Sequence, residues 1–353
     1  MKNWGVLLVV ILYGMCLPAA WCQEGVQEGN SEQPLQFFEN QDPLMIQLKY
    51  SIKQVKKQTN DSTYLASNIW YKDDSETWDS VNIKLRARGH FRRENCYYAP
   101  LKLKIKKADA KGTLFEKTTK FKLVLPCLLE KNNDDYVLKE YIAYKLYEIV
   151  APYHFKTRLT RIDLLEERGK RTNRHQLLGF VIEDIDALVK RYDAREIERF
   201  IHPLQQDALA SIQNAFFQYL IANTDFSTKQ LHNQKIIFSE KKIIPIPYDF
   251  DMCGLVNANY AGVTNVQNLS GTITEVTQRI YKGYERDAAL IQQVREEYLE
   301  KKTQMLAALQ LLKDEFGDRS QYSEAEKFIT SFFEILENDK KFKKNILDRL
   351  RTR

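Results

Sequence analysis

Asn223-Thr224-Asp225, His232-Asn233 and Tyr248-Asp249-Phe250-Asp251-Met252-Cys253-Gly254 are the phrases on which the reading of this chain turns. Leu209, Ile212, Phe216 and Leu220 recur at helical spacing just before the first, so a helix delivers Asp225 to a loop. The runs Gln234 to Phe238 and Ile243 to Pro247 read as strands. This helix–loop–strand–turn–strand–loop order brings Asp225, Asn233 and Asp249 together at neighbouring strand ends. An aspartate at a helix C-terminus sits against the negative end of the dipole, which points to a use other than helix stability. Carboxylate and amide oxygens are what Mg²⁺ takes, with substrate phosphates in its remaining positions. Asn233 and Asp249 are therefore candidate metal ligands, and Asp251 a third. Asp225 is the candidate to align an acceptor hydroxyl or take its proton, as phosphoryl transfer requires. His232 is a lesser candidate for orienting a phosphate or a water.

Upstream, alternating or β-branched and aromatic runs predict strands at Met45 to Tyr50, Thr63 to Tyr71, Val81 to Arg88, Leu101 to Ile105 and Phe121 to Leu125. Leu138, Ile142, Leu146 and Ile149 mark a helix that Pro152 stops. Two more strands, Leu159 to Leu165 and Leu177 to Ile182, flank a charged loop from Glu166 to Arg174. Beyond the acidic segment, Ile291 to Leu312 predicts one long helix closed by Gly317. Ser323 and Glu326 read as the capping box of a last helix. Strands thus come first and helices later, an α+β order. The domain reading is a leader over 1–22, a flexible linker over 23–43, a β-rich N-lobe with one main helix over 44–182, and a helical C-lobe with the acidic loops over 183–353.

Four blocks in this order resemble the CotH family of atypical, kinase-fold proteins, in particular an exported branch of Bacteroidetes type. They are Arg86-Ala87-Arg88-Gly89 with Pro100-Leu101-Lys102-Leu103-Lys104, the helix from Tyr136 to Leu146, Gly179-Phe180-Val181-Ile182-Glu183-Asp184, and the 223–254 segment. The resemblance implies a bilobal protein-kinase-like fold and an exported atypical kinase. Such an enzyme would move a phosphoryl group from Mg²⁺-bound ATP to a protein or envelope-polymer acceptor. The alternative is a catalytically vestigial kinase-fold binding module in envelope assembly or adhesion. The resemblance makes Asp225 the catalytic aspartate, Asn233 a metal ligand and Asp249 the metal aspartate of a DFG-like turn. A lysine must brace the nucleotide phosphates, often paired with a helix glutamate. Lys102 and Lys104 share one face of a strand, Lys104 with Glu140 is one such pair, and Lys139 is another route to phosphate. Glu183 and Asp184 fall where a hinge would pass the adenine.

The chain has 353 residues, 44% hydrophobic, with a formal net charge of +6. That is ample for a core. Lys102 to Lys122 holds eight lysines and two acids, Asp109 and Glu116. Such a face steers anions, or guards an exposed strand edge. Nothing in the pattern calls for nucleic acid. Lys2, the apolar run Val6 to Leu17 and the small residues near Ala20 read as a secretory leader, too short to span a membrane. Cleavage after Cys22 would leave Gln23 first, and a lipid anchor on Cys16 or Cys22 is the competing outcome. The expected location is the periplasm or cell surface. There Cys96 and Cys127, both beside strands, are the expected disulfide pair, with Cys253 left as a thiol. No C-x-x-C spacing marks a zinc site.

Overall fold

A computed structural model describes Met1 and residues 36–72, 77–130, 133–227, 231–263 and 273–352. Apart from Met1, the leader over 1–22 lies outside the described residues, as does most of the linker expected over 23–43. From residue 36 onward the chain is one compact unit. It opens with α1, Gln36–Glu39, whose Phe37 and Phe38 are buried in the first core, so packed chain begins before Leu44.

Seven strands follow in sequence, interrupted by three short helices and one long one. They are β1 (Leu44–Tyr50), β2 (Leu65–Lys72), β3 (Trp78–Ala87), β4 (Leu101–Ile105), β5 (Lys120–Val124), β6 (Thr157–Arg168) and β7 (Arg171–Glu183). The helices between are α2 (Ile52–Gln58), α3 (His90–Asn95), α4 (Lys107–Ala110) and α5 (Asn133–Val150). Period-two burial is plain in β1 and β4, which put Ile46, Leu48, Leu101 and Leu103 inside. The predicted loop from Glu166 to Arg174 is instead the tip of a long hairpin. Arg168 pairs with Arg171 across a turn where Gly169 takes φ 62°.

The bilobal kinase-like expectation is overturned here. The strands do not form a β-sheet lobe beside a helical lobe. They close into a mixed barrel in the order β1-β2-β3-β4-β5-β7-β6. Closure is physical: β1 pairs antiparallel with β2 on one side and parallel with β6 on the other, from Leu44 opposite Thr160 to Tyr50 opposite Glu166. A barrel has no edge. Its interior is filled by Phe37, Phe115, Phe121, Leu85, Leu103 and their neighbours, with Phe115 and Phe121 stacked at 5.7 Å.

The second half joins helices to a small sheet that contains both strands expected between Gln234 and Pro247. It contains α6 (Ile185–Arg191), α7 (Ala208–Leu220) and a three-stranded sheet of β8 (Arg195–Glu196), β9 (Gln234–Ser239) and β10 (Lys242–Pro247). The predicted single long helix is two, α8 (Ala288–Glu300) and α9 (Lys302–Leu311), meeting at Lys301. Then come α10 (Arg319–Leu336) and α11 (Asp339–Asn345). The capping box is also corrected: Asp318 caps α10 by accepting from Ser320 N, so Ser323 lies inside the helix. A second core joins these elements to α5, which is buried almost all round. Among the described residues no helix is long and apolar enough to cross a membrane.

Candidate functional site

Three loops meet beside the C-terminal end of α7. Ala222, in left-handed backbone at φ 48°, turns the chain out of the helix. Its carbonyl accepts from Gly254 N at 3.1 Å, and the Ile221 carbonyl accepts from Leu255 N at 3.0 Å. A Cβ on Gly254 would lie 2.6 Å from the Val276 carbonyl oxygen and 2.8 Å from the Ala222 Cβ, so only glycine permits this approach. Tyr248 N donates to the Asn233 carbonyl at 3.1 Å, which ties the third loop to the other two. Phe250 is fully buried against Tyr144 and Phe217, and Asp249 N donates to the Tyr144 hydroxyl at 2.9 Å. The apolar side chain anchors the turn while its acidic neighbours face elsewhere. Asn233 and Asp249 both hold positive φ, 54° and 63°. Such backbone persists only where its surroundings enforce it, and it gathers at functional sites.

The side chains converge accordingly. Asn233 Nδ2 donates to the Asp225 carbonyl at 2.7 Å and to Asp225 Oδ2 at 3.0 Å. His232 Nε2 lies 3.4 Å from Asp225 Oδ1, and that carboxylate holds the imidazole above its ordinary pKa, with Asp249 adding to the effect. Arg88, from the barrel, reaches to 3.7 Å from Asp249 Oδ2. Sequence reasoning singled out neither of two buried amines that complete the surroundings. Lys122 on β5 lies over the rings of Phe155 and Tyr248 at 5.2 and 5.1 Å. Burial pushes its pKa down to about 7; Arg88 and Lys102 push the same way, against Asp184 and Asp249. Lys282 donates to the Thr224 carbonyl at 3.1 Å over the Phe226 ring. Burial brings it also to about 7, with Arg351 adding and Asp225 opposing. A signal for Lys122 was present, since a lysine between Phe121 and Leu123 faces away from an apolar strand face. No local signal marks Lys282.

Other expected residues go elsewhere. Asp251 is buried and faces Arg92 Nε at 3.7 Å; Arg92 Nη1 lies 3.6 Å from Glu140. Burial raises both carboxyls, Glu140 with added repulsion from Asp251 and Asp249, and Asp251 to about 7 with added repulsion from Asp249 and Asp225, both against the pull of Arg92. This is a closed Arg–carboxyl cluster behind the turn. Glu140 therefore pairs with Arg92 and not with Lys104, which lies over the Tyr64 ring at 4.5 Å. Lys139 points away to Gln321 Oε1 at 2.8 Å. Lys102 pairs with Asp184 at 2.8 Å. Glu183 is fully buried and held by Arg191 through two hydrogen bonds, 3.0 and 2.6 Å. Of the residues expected to hold a nucleotide, Lys102 acts on Lys122 beside the acidic loops, and Glu140 lies in the field of Asp249 and Asp251.

Mg²⁺ keeps several waters and takes one or two carboxylates plus substrate oxygens. The chemistry of Asp249 and the Asn233 Oδ1 suits that sparse donor set, and the Asn233 Nδ2, which donates to Asp225, fixes which end of the amide is the oxygen. Among the described residues no group of three or more His, Cys, Asp or Glu side chains is placed to hold a metal ion, which disfavours an all-protein cage. No protein-family model matches this chain, and no curated protein matches it.

Proposed function

We propose that this chain is an exported phosphotransferase that moves a phosphoryl group from a Mg²⁺-bound phosphate donor, such as ATP, to a hydroxyl on a protein or envelope polymer. The observation that supports the reading is the hydrogen-bonded Asp225–Asn233 pair, tied through the Asn233 carbonyl to Tyr248 N next to Asp249, with Asp249 acting on His232 and with Arg88 and the buried Lys122 on the Asp249 side. Asp225 would receive the acceptor's proton, with Asn233 and His232 fixing its carboxylate. The acceptor oxygen forms a bond to the terminal phosphorus as the bridging P–O bond breaks, and the shortened donor leaves with that electron pair. Arg88 and Lys122 would stabilise charge on the transferring and leaving oxygens. A Mg²⁺ ion held by Asp249 and Asn233 would neutralise the donor's phosphates. The Cys96–Cys127 disulfide supports an oxidising compartment.

Titration calorimetry with Mg-ATP and a labelled-phosphate transfer assay test this. Asp249→Ala should abolish Mg²⁺-dependent binding. Asp225→Asn should spare binding and lower transfer by roughly 10²–10⁴-fold. Undiminished Mg-ATP binding by Asp249→Ala, or wild-type transfer by Asp225→Asn, would overturn the reading. The Arg88 contact on Asp249 favours a second reading, a phosphate-binding module without turnover that serves envelope assembly or adhesion. It predicts binding by the wild-type chain and no transfer to lose.

A further inference from the structure

The outer face of β3, β4 and β5 carries a grid of cations. Lys84 stands opposite Lys104, which stands opposite Lys120; Arg86 stands opposite Lys102, which stands opposite Lys122. Arg88 continues the β3 column, its N donating to the Pro100 carbonyl at 2.8 Å as one more rung, and reaches Asp249. The alternate residues Ile83, Leu85, Leu101, Leu103, Phe121 and Leu123 fill the barrel, so all seven cations share its outside. Neighbours stand about 4.8 Å apart across strands and about 6.8 Å apart along them. Like charges directly opposite one another destabilise a sheet. Edge protection does not account for them, because the barrel is closed and these strands are paired on both sides. Four of the seven have a carboxylate, Asp61 on Arg86, Asp184 on Lys102, Asp186 on Lys120 and Asp249 on Arg88. Among the described residues, Lys84, Lys104 and Lys122 have none within ion-pair distance.

The segment expected to read an adenine is closed to it. Glu183 N donates to the Lys156 carbonyl at 2.9 Å, and Lys156 N donates to Glu183 Oε2 at 3.1 Å. The Asp184 carbonyl accepts from Ala187 N and Leu188 N to start α6. The rings among these cations already carry them, Tyr64 with Arg86 and Lys104, Phe155 and Tyr248 with Lys122, which favours recognition by charge over base stacking there. Lys122 is 9% exposed, beyond the reach of a bilayer's headgroups.

We infer that this face binds a linear condensed phosphate chain, longer than a triphosphate, through its charges alone, with one end at Arg88 and Asp249. Only the identity of that end as the reacting one rests on the phosphotransferase reading. The chain lies along the Arg88–Arg86–Lys84 column, with the β4 lysines beside it and the β5 lysines one strand further on.

Calorimetry on the full Asp225→Asn chain tests this with four probes: tripolyphosphate, a polyphosphate several times longer, Mg-ATP and adenosine. The long chain should bind at least about tenfold tighter than tripolyphosphate, with a steeper salt dependence from its extra contacts. Mg-ATP should match tripolyphosphate, and adenosine should not bind. Lys84→Ala combined with Lys104→Ala should lower long-chain affinity about tenfold and leave tripolyphosphate unchanged; a thermal melt no lower than that of the parent shows that the fold is kept. The inference is overturned if chain length has no effect, if the double variant weakens both probes equally, or if Mg-ATP binds more than about tenfold tighter than tripolyphosphate. Long-chain binding without any transfer by the wild-type enzyme would uphold the platform and defeat the transferase reading. Transfer from Mg-ATP with no dependence on chain length would do the reverse.

Discussion

At the residue scale Lys122 decides most. An amine held near pH 7 by burial between two rings is largely neutral above that pH, while an unfolded lysine stays charged to about 10.4. The folded pKa is depressed, so between about pH 7 and pH 10 the unfolded chain binds one more proton and Lys122 makes stability rise with pH. A phosphate ligand reverses the local balance by favouring the ammonium. Binding of tripolyphosphate at pH 8.5 should therefore take up close to one proton through this group. Calorimetry in two buffers of different ionisation enthalpy measures it, and the uptake should vanish in Lys122→Met. Uptake unchanged in that variant would assign the proton elsewhere. The acidic residues were legible because Asp225, Asn233 and Asp249 each punctuate a recognisable helix or strand end. The cations were not, because which of eight lysines becomes buried depends on strand register across the barrel.

At the element scale α5 couples the barrel to the helices behind it. It carries Glu140 toward Arg92 and Asp251 on one side and Lys139 toward Gln321 on α10 on the other. Its first turn does more. The Asp135 carboxylate accepts from Gly317 N at 2.8 Å and Asp318 N at 3.0 Å, which fixes the turn that starts α10. Asp135→Ala would remove the acceptor of two part-buried backbone hydrogen bonds, at a net cost of ~1–3 kcal/mol for the pair. The loss should show as a lower urea midpoint with unchanged slope, and Asp135→Asn should restore part of it. No shift in the midpoint would mean that water replaces the carboxylate without penalty. The helix itself was readable from its apolar spacing. Its partners were not, since Lys139 and Glu140 look like surface charges until the fold buries them. The start of α10 was misplaced for a related reason. Ser323 and Glu326 satisfy the local capping pattern, yet Asp318 stands one turn earlier and is held there by a helix about 180 residues upstream in the chain.

At the whole-molecule scale, the order of strands and helices was legible, and the closure was not. An α+β order serves an open sheet and a barrel equally, and only the pairing of β1 with β6, far apart in sequence, separates them. Cys96 and Cys127 were a long-range contact that the sequence offered within the first half, and their Cα atoms lie 4.5 Å apart in a disulfide. The bond fastens the segment bearing Arg88 and Arg92 to the end of β5. Around it, Tyr97 N donates to the Cys127 carbonyl at 2.7 Å, Lys56 Nζ to the Cys96 carbonyl at 2.8 Å, and Arg92 Nη2 to the Leu125 carbonyl at 2.5 Å. It closes a loop of 31 residues. Removing it with the Cys96→Ser, Cys127→Ser double variant should cost roughly 3–4 kcal/mol and lower Tm by roughly 5–10 °C. Both sulfurs belong to buried residues, so a reductant must wait for local opening. Reduction should therefore be slow in buffer and fast in urea near the unfolding midpoint, followed by thiol alkylation and mass measurement. The variant should also bind tripolyphosphate more weakly, because Arg88 loses the support that aims it at Asp249. A double variant as stable as its parent would show that the surrounding hydrogen bonds alone hold the segment. Rapid reduction in buffer would show that it already opens in the native state.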